Sequence, residues 1–351
     1  MIKETPKIKS DRNLELDALR GIAALMVMFF HFSMGRPECQ MGLKFGVSGV
    51  SLFFLISGFV IYKSIENTKK SSDFLINRFG RLFPTYWTIV TFTFILILLY
   101  PSFKSTPVFD SKITDYIGNM SMLQYYFDIK NIDGSYWSMI VELNFYLFIV
   151  IFILFKKTKY INDIGVPLSV ILTIAYFFKD LNPTLNPLFK FIPIVVYLPL
   201  FLGGITFYKI SKTIENQTKN YIHLFILIFL QFVFVYIQYA DNLSFLTFQE
   251  HVITLIFFNI TFLLFIKNKL MFIVNKTTVF FGKISYSLYL IHQFFAYYFI
   301  IPYTVDTLKI NFWIASICIA FPIIVILSTL ITFYIEIPFS KRIKRKVISL
   351  K

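Results

Sequence analysis

The chain has 351 residues, of which 57% are hydrophobic and 20% aromatic, whereas only 15% carry a charge. This composition excludes an ordinary soluble domain, in which roughly a quarter of the residues are charged. The net charge of +15 would suit a nucleic-acid partner, but the basic residues follow the loops between apolar segments, so we predict no nucleic-acid binding.

Apolar segments long enough to cross a bilayer recur along the whole chain and predict an all-α polytopic membrane protein with about ten transmembrane helices. We expect a single membrane domain over residues 1–351 and no soluble domain. The ten predicted spans cover about residues 16–34, 45–62, 83–100, 137–155, 164–178, 191–208, 220–238, 248–266, 284–301 and 311–335.

The Lys and Arg residues predict how these spans are oriented. If the N-terminus is inside, 25 of the 34 Lys and Arg residues lie in inside segments and eight lie in outside loops. Because the inside loops of membrane proteins are enriched in these residues, we predict that both termini lie inside.

The first span contains two ionisable residues, Arg20 and His31. Eleven steps of a helix turn through about 1100°, only ~20° past three full turns, so both side chains share one face about 16 Å apart. Ionisable groups within a membrane helix are functional candidates, since they are costly to bury. Two structural alternatives stay open: Arg20 caps the helix at the inner interface with Asp17, or His31 bonds to a neighbouring helix.

The inside loop before the third span carries Arg78 and Arg81, one helical turn apart. We predict a short segment along the inner membrane face, with Pro84 in the first turn of the third helix. Two guanidinium groups at this spacing suit a phosphate-bearing ligand. Contact with anionic lipid is the alternative.

The fourth span carries Ser138 and Glu142 on one helical stripe. Because this span enters from outside, Glu142 is predicted to lie at the depth of His31. A carboxylate that orients an imidazole is a common general-base arrangement. Alternatively, Glu142 is a protonated acid that links two helices.

The ninth span places Ser285, Tyr289 and His292 on one face, with His292 near the middle of the membrane. A polar stripe at this depth is typical of a ligand channel, but equally of hydrogen bonds between helices.

Together these segments resemble the integral-membrane acyltransferase-3 family, which consists mostly of bacterial O-acyltransferases that modify surface glycans. The resemblance covers nearly the whole chain and depends on six motifs in order. They are Arg20-x10-His31, Phe53-Phe54 with Ser57-Gly58-Phe59, Arg78-x2-Arg81 with Pro84, Trp137-Ser138 with Glu142, Ser285-Tyr286-Ser287 with Tyr289 and His292, and Glu336-x-Pro338.

The resemblance implies a cytosolic acyl-coenzyme A donor, a hydroxyl acceptor on an outer glycan or polysaccharide, and the bacterial cell membrane as location. Acetyl is the expected acyl group. Cys39 and Cys318 have no metal-ligand spacing, so no metal is expected. The expected site residues are His31, Glu142 and Arg20 for catalysis, Arg20, Arg78, Arg81, Tyr289 and His292 for acyl-CoA binding, and Tyr136, Trp137 and Ser138 on the acceptor side.

Two other functions remain open at this point. Aligned ionisable groups also mark transport paths, so the chain could be a transporter or flippase for a glycan or lipid-linked precursor. Many transporters show an internal repeat, which this sequence lacks. A non-catalytic membrane partner of glycan synthesis is the third possibility. For an enzyme, direct transfer and a covalent acyl-His intermediate are both consistent with the sequence.

Overall fold

In the computed structural model the described residues are 13–349, without 67, 69, 100–112, 213–215 and 241–244. This part of the chain contains no β-strand and is almost wholly helical. The α-helices are α1 (Leu14–Ser33), α2 (Gly49–Ile65), α3 (Ser71–Leu99), α4 (Ile113–Met120), α5 (Trp137–Leu154), α6 (Ile161–Phe177), α7 (Asn186–Phe191), α8 (Leu198–Lys212), α9 (Gln217–Ala240), α10 (Phe248–Ile266), α11 (Lys276–His292), α12 (Phe312–Ile314), α13 (Phe321–Ile331) and α14 (Ile337–Ser349).

Nine helical segments of the described chain are long and apolar enough to span a membrane, which confirms the all-α polytopic class. The predicted span 191–208 corresponds to α8, whose 15 residues make a helix of about 22 Å, shorter than the ~30 Å hydrocarbon core. The nine segments are Leu14–Ser33, Leu43–Ile65, Ser71–Leu99, Gly134–Leu154, Thr158–Phe177, Gln217–Ala240, Phe248–Ile266, Lys276–Thr307 and Phe312–Arg345.

The segment before the third span differs from its prediction. Helix α3 runs without interruption for 29 residues and contains Pro84 in its interior. Arg78 and Arg81 therefore lie on a long membrane helix rather than on a separate surface segment. A proline removes one N–H from the helix, and such a loss is tolerated where neighbouring helices surround the backbone.

Helices α1 and α11 cross at two glycines, which brings the predicted polar stripes together. A Cβ added to Gly282 would lie 1.9 Å from the Asp17 carbonyl oxygen, so only glycine fits there. Gly21 meets the backbone of α11 in the same way. Membrane helices pack closely through such small residues, because without water between them the contact surface itself must hold them together.

Helices α2 and α8 also approach to backbone contact, and this crossing gives a stability prediction. A Cβ on Gly204 would lie 2.0 Å from the Leu55 carbonyl oxygen, whereas a Cβ on Gly203 would meet only side-chain atoms, the nearest at 3.3 Å. We expect Gly204→Ala to cost about 2 kcal/mol or more of stability, since overpacking forces the backbones apart.

The neighbouring variant Gly203→Ala provides the matched control for this prediction. Melting temperatures of both variants in the same detergent would test it. Equal melting temperatures would contradict the close crossing.

Candidate active site

Two histidines from different helices form the most distinctive contact in the site. His31 Nδ1 on α1 lies 3.0 Å from His292 Nε2 on α11, and their ring centroids are 4.8 Å apart. His292 is fully buried, whereas His31 is half-buried. The structure therefore brings together two predicted site residues that the sequence had placed on separate stripes. We call them the imidazole pair.

Backbone carbonyls determine which nitrogens of the imidazole pair carry hydrogen. His292 Nδ1 lies 2.8 Å from the Tyr289 carbonyl and 3.1 Å from the Leu288 carbonyl, so Nδ1 donates. When His292 is neutral, its Nε2 is then an acceptor. His31 Nδ1 faces this acceptor and the Val27 carbonyl at 2.9 Å, so it also carries hydrogen.

The remaining nitrogen of His31, Nε2, therefore holds a lone pair in the neutral ring. The hydrogen bonds of the described residues include none to this atom. When His31 Nε2 takes up a proton, the ring becomes a cation whose Nδ1–H still donates to His292 Nε2, which occupies the acceptor position that a buried carboxylate has in a serine-protease triad. Chemically, a ring held in this way can accept a proton at Nε2 without turning.

A central cavity lies deeper in the bundle, toward the Arg20 end of α1. Its polar side chains come from five helices, α1, α2, α3, α5 and α11, and Phe53 and Phe54 of α2 form part of its apolar wall. The polar lining residues are Arg20, Ser57, Arg81, Ser138, Glu142, Tyr146, Ser285, Tyr286 and Tyr289.

A wider opening, which we call the vestibule, shares Arg20 and Arg81 with the central cavity. Its lining residues include five cations and two carboxylates, so it attracts anions. The charged residues are Asp17, Arg20, Arg81, Lys283, Glu336, Lys341 and Lys344. Vestibule and cavity together form a positively charged entry that ends among hydroxyl groups.

The position of Glu142 corrects the prediction that it supports the His31 ring. Glu142 lines the central cavity, where Tyr146 donates a hydrogen bond to its carboxylate. It also interacts electrostatically with Arg20 and Arg81. The side chain that faces His31 Nδ1 in the structure is His292, and the carboxylate of Glu142 is bonded to Tyr146 instead.

Ser138 and Tyr289 stand between the central cavity and the imidazole pair. Their hydroxyls are 2.8 Å apart and both line the cavity. The Tyr289 ring packs against the His292 ring, with centroids 5.8 Å apart. Ser138, expected on the acceptor side, thus meets Tyr289, expected to bind the donor, at the end of the cavity.

The two arginines of α3 have different environments. Arg81 lines both the cavity and the vestibule. Arg78 instead donates to Ser64 Oγ at 2.7 Å and lies over the rings of Phe74 and Tyr146. The structure therefore separates a pair that the sequence had treated as equivalent.

The other two acceptor-side residues also differ from each other. Tyr136 is completely buried and packs edge-on against the Tyr86 ring. Trp137 is 37% exposed, and its ring lies 5.4 Å from that of Tyr197. Only Trp137 is placed where a molecule outside the bundle could touch it.

A buried aspartate outside the spans connects the two halves of the site. Asp133 accepts the Ser135 N–H at 2.7 Å, just before α5, and the Phe294 N–H at 2.8 Å, just after His292. Burial raises the pKa of Asp133 to about 6, against the lowering effect of these hydrogen bonds. This contact joins the start of α5 to the end of α11, so it holds Ser138 and His292 at fixed positions.

Sequence reasoning missed the vestibule lysines and the role of Glu336. Lys283, Lys341 and Lys344 were counted only as a signal of orientation, because their convergence depends on how α11 and α14 pack. Glu336 accepts from Ser287 at 3.3 Å and ends a π-helical segment, Thr332–Glu336. Such segments are frequent at functional sites, although no short-range sequence pattern marks them.

Comparison with known proteins identifies similar chains. A family model described as an acyltransferase domain matches residues 13–333. A putative acetyltransferase of Acidianus two-tailed virus is 26% identical over 78% of this chain and 80% of its own length. No solved structure matches.

Two bacterial proteins match a smaller part of the chain. Nodulation protein 10 of Rhizobium leguminosarum bv. viciae is 28% identical over 37% of this chain and 41% of its own length. Acyltransferase MdmB of Streptomyces mycarofaciens is 28% identical over 38% of this chain and 37% of its own length.

Proposed function

The chain belongs to the acyltransferase-3 family, and from this we propose that it transfers an acyl group from acyl-coenzyme A to a hydroxyl group across the membrane. We take acetyl as the acyl group, a surface glycan or polysaccharide as the acceptor and the bacterial cell membrane as the location. His31 is the general base of the proposed reaction. The donor enters the helix bundle at the vestibule, and the acceptor approaches from the opposite end, near His31.

The imidazole pair is the observation that carries this proposal. Its hydrogen bonds leave His31 Nε2 with a lone pair, and a general base needs a lone pair within reach of the acceptor hydroxyl. In this proposal His292 orients the His31 ring, which is the role that we first expected of Glu142. The backbone carbonyls of Leu288 and Tyr289 fix the tautomer of His292, so this tautomer does not depend on a bound substrate.

The vestibule supports an anionic donor at the other end. Coenzyme A carries phosphates, and Lys283, Lys341 and Lys344 surround the mouth where these would rest. Arg20 and Arg81 lie deeper and suit the phosphate closest to the pantetheine arm. The extended arm is about as long as the ~16 Å from Arg20 to His31 along α1.

The chemical step follows from these positions. His31 Nε2 removes the proton of the acceptor hydroxyl while the hydroxyl oxygen attacks the carbonyl carbon of the thioester. The C–S bond breaks, and the departing thiolate of coenzyme A takes the proton back from His31. The hydroxyls of Ser138 and Tyr289 are 2.8 Å apart. When these two side chains move apart, the thioester can pass from the central cavity to the imidazole pair.

The test is thioester cleavage by the purified protein in proteoliposomes supplied with radiolabelled acetyl-coenzyme A. We expect release of coenzyme A on the vestibule side, and label on a hydroxyl of glycan supplied on the other side. A transporter or flippase would move glycan without cleaving the thioester. Intact thioester in a correctly folded preparation overturns the proposal.

A further inference from the structure

One carboxylate of the vestibule has no part in the proposed reaction. Glu336 lines this opening together with Arg20 and Arg81, although a negative charge works against an anionic donor. The residue is half-buried, and a charged group taken out of water is costly unless it has partners. The groups around Glu336 therefore indicate what its carboxylate does.

Two hydroxyl groups hold the Glu336 carboxylate in place. Ser287 Oγ on α11 donates to Glu336 Oε2 at 3.3 Å. Thr332 Oγ1 in turn donates to Ser287 Oγ at 2.8 Å and lies 3.5 Å from the same carboxylate oxygen. Both hydroxyl side chains are buried. Neutral donors such as these fix the position of the carboxylate but leave its charge uncompensated.

The charge of Glu336 is compensated by two arginines that have no close ionic partner of their own. Arg20 and Arg81 both interact electrostatically with Glu336, and Arg20 is also repelled by Arg81. None of the ion pairs between described residues includes either arginine. Their guanidinium groups are thus free to bind an anion, while Glu336 supplies a negative charge from the vestibule wall.

An anion bound between Arg20 and Arg81 changes this balance. A phosphate brings its own negative charge and can form charged hydrogen bonds to the guanidinium groups. Glu336 then faces a like charge in a partly buried site, where the repulsion is stronger than in water. The carboxylate that stabilises the empty vestibule therefore weakens the binding of any anion that enters it.

From these contacts we propose that Glu336 is a displaceable counter-charge for Arg20 and Arg81. It neutralises the two arginines when the vestibule is empty, and it opposes the phosphate that takes its place. The proposal rests on the proposed function for its purpose, since the spent coenzyme A must leave through the vestibule after each transfer. Glu336 contacts no reacting atom, and it speeds this release by lowering the affinity for the anion.

Binding of inorganic pyrophosphate measures this effect without any acyl transfer. The full chain is placed in phosphatidylcholine nanodiscs, which carry no net charge, and is titrated with pyrophosphate in a calorimeter. We expect Glu336→Gln to tighten binding about tenfold, because the amide still accepts from Ser287 but has lost the charge. Glu336→Ala removes the same charge and should also tighten binding. Glu336→Asp keeps the charge and should resemble the wild type.

Glu66→Gln is the matched control. The Glu66 carboxylate also accepts a hydrogen bond from a hydroxyl, that of Tyr208, but Glu66 is not among the residues described as lining the vestibule. The control loses the same charge from the whole protein, so we expect it to bind pyrophosphate as the wild type does.

Several results would contradict the counter-charge. Unchanged or weaker pyrophosphate binding in both Glu336→Gln and Glu336→Ala overturns the proposal, and weaker binding would mean that Glu336 orients the arginines instead. Equal tightening in Glu66→Gln overturns it as an effect of overall charge, and so does a vestibule that binds no pyrophosphate in any variant. If the variants behave as expected but the wild type leaves acetyl-coenzyme A intact, the proposed transfer fails and the counter-charge stands.

Discussion

Replacement of His31 by asparagine is expected to reduce acyl transfer about 10²–10⁴-fold, the usual contribution of a general base. The asparagine amide can still donate toward the Val27 carbonyl and His292 Nε2, as His31 Nδ1 does at 2.9 and 3.0 Å. It supplies no base in place of Nε2. The fold should therefore survive while turnover is lost, and kcat together with the melting temperature separates the two effects.

Two further variants make this result specific. His223→Asn changes a histidine on α9 outside the site and should leave transfer intact. His292→Ala should reduce kcat less than His31→Asn and alter its pH dependence, because in the proposed mechanism His292 only positions His31. If His31→Asn retains more than a third of the wild-type rate, the base must be another group.

Replacement of Arg81 by glutamine is expected to raise the KM for acetyl-coenzyme A about 10–100-fold with little change in kcat. Arg81 lines both the vestibule and the central cavity, and a charged hydrogen bond is worth roughly 1.5–3 kcal/mol. Arg81→Lys should recover part of the loss, because lysine keeps the charge but not the two-pronged geometry. Steady-state kinetics with varied donor concentration measure both.

Arg78 provides the comparison for this prediction. It is bonded to Ser64 and covered by aromatic rings, so Arg78→Gln should change the donor KM much less than Arg81→Gln. Equal increases of KM in the two variants would favour the equivalent pair expected from their spacing in the sequence. A Michaelis constant that neither variant changes would place the donor elsewhere.

Features that depend on local periodicity were predictable from the sequence. The face shared by Arg20 and His31 follows from helix geometry alone, and α1 places the two residues accordingly. The apolar segments likewise marked most spans. The start of α3 was not predictable, because Pro84 is a common first-turn residue and its tolerance inside a helix depends on neighbours.

The pairing of side chains between helices was harder to predict. Depth in the membrane suggested Glu142 as partner of His31, but depth does not say which helices are neighbours. The partner is His292, because Gly21 and Gly282 let α1 and α11 touch.

The contact between Ser138 and Tyr289 has a consequence for the host membrane. The vestibule and central cavity bring several charged groups into the bundle, and a continuous water path from them to the other face would conduct ions. The touching hydroxyls of Ser138 and Tyr289 and the rings of Phe53 and Phe54 line the central cavity, and side chains in contact leave no room for a water between them. In the proposed reaction an acyl chain would cross the bundle while the electrochemical gradient stays intact, so turnover would not drain the energy stored across the membrane.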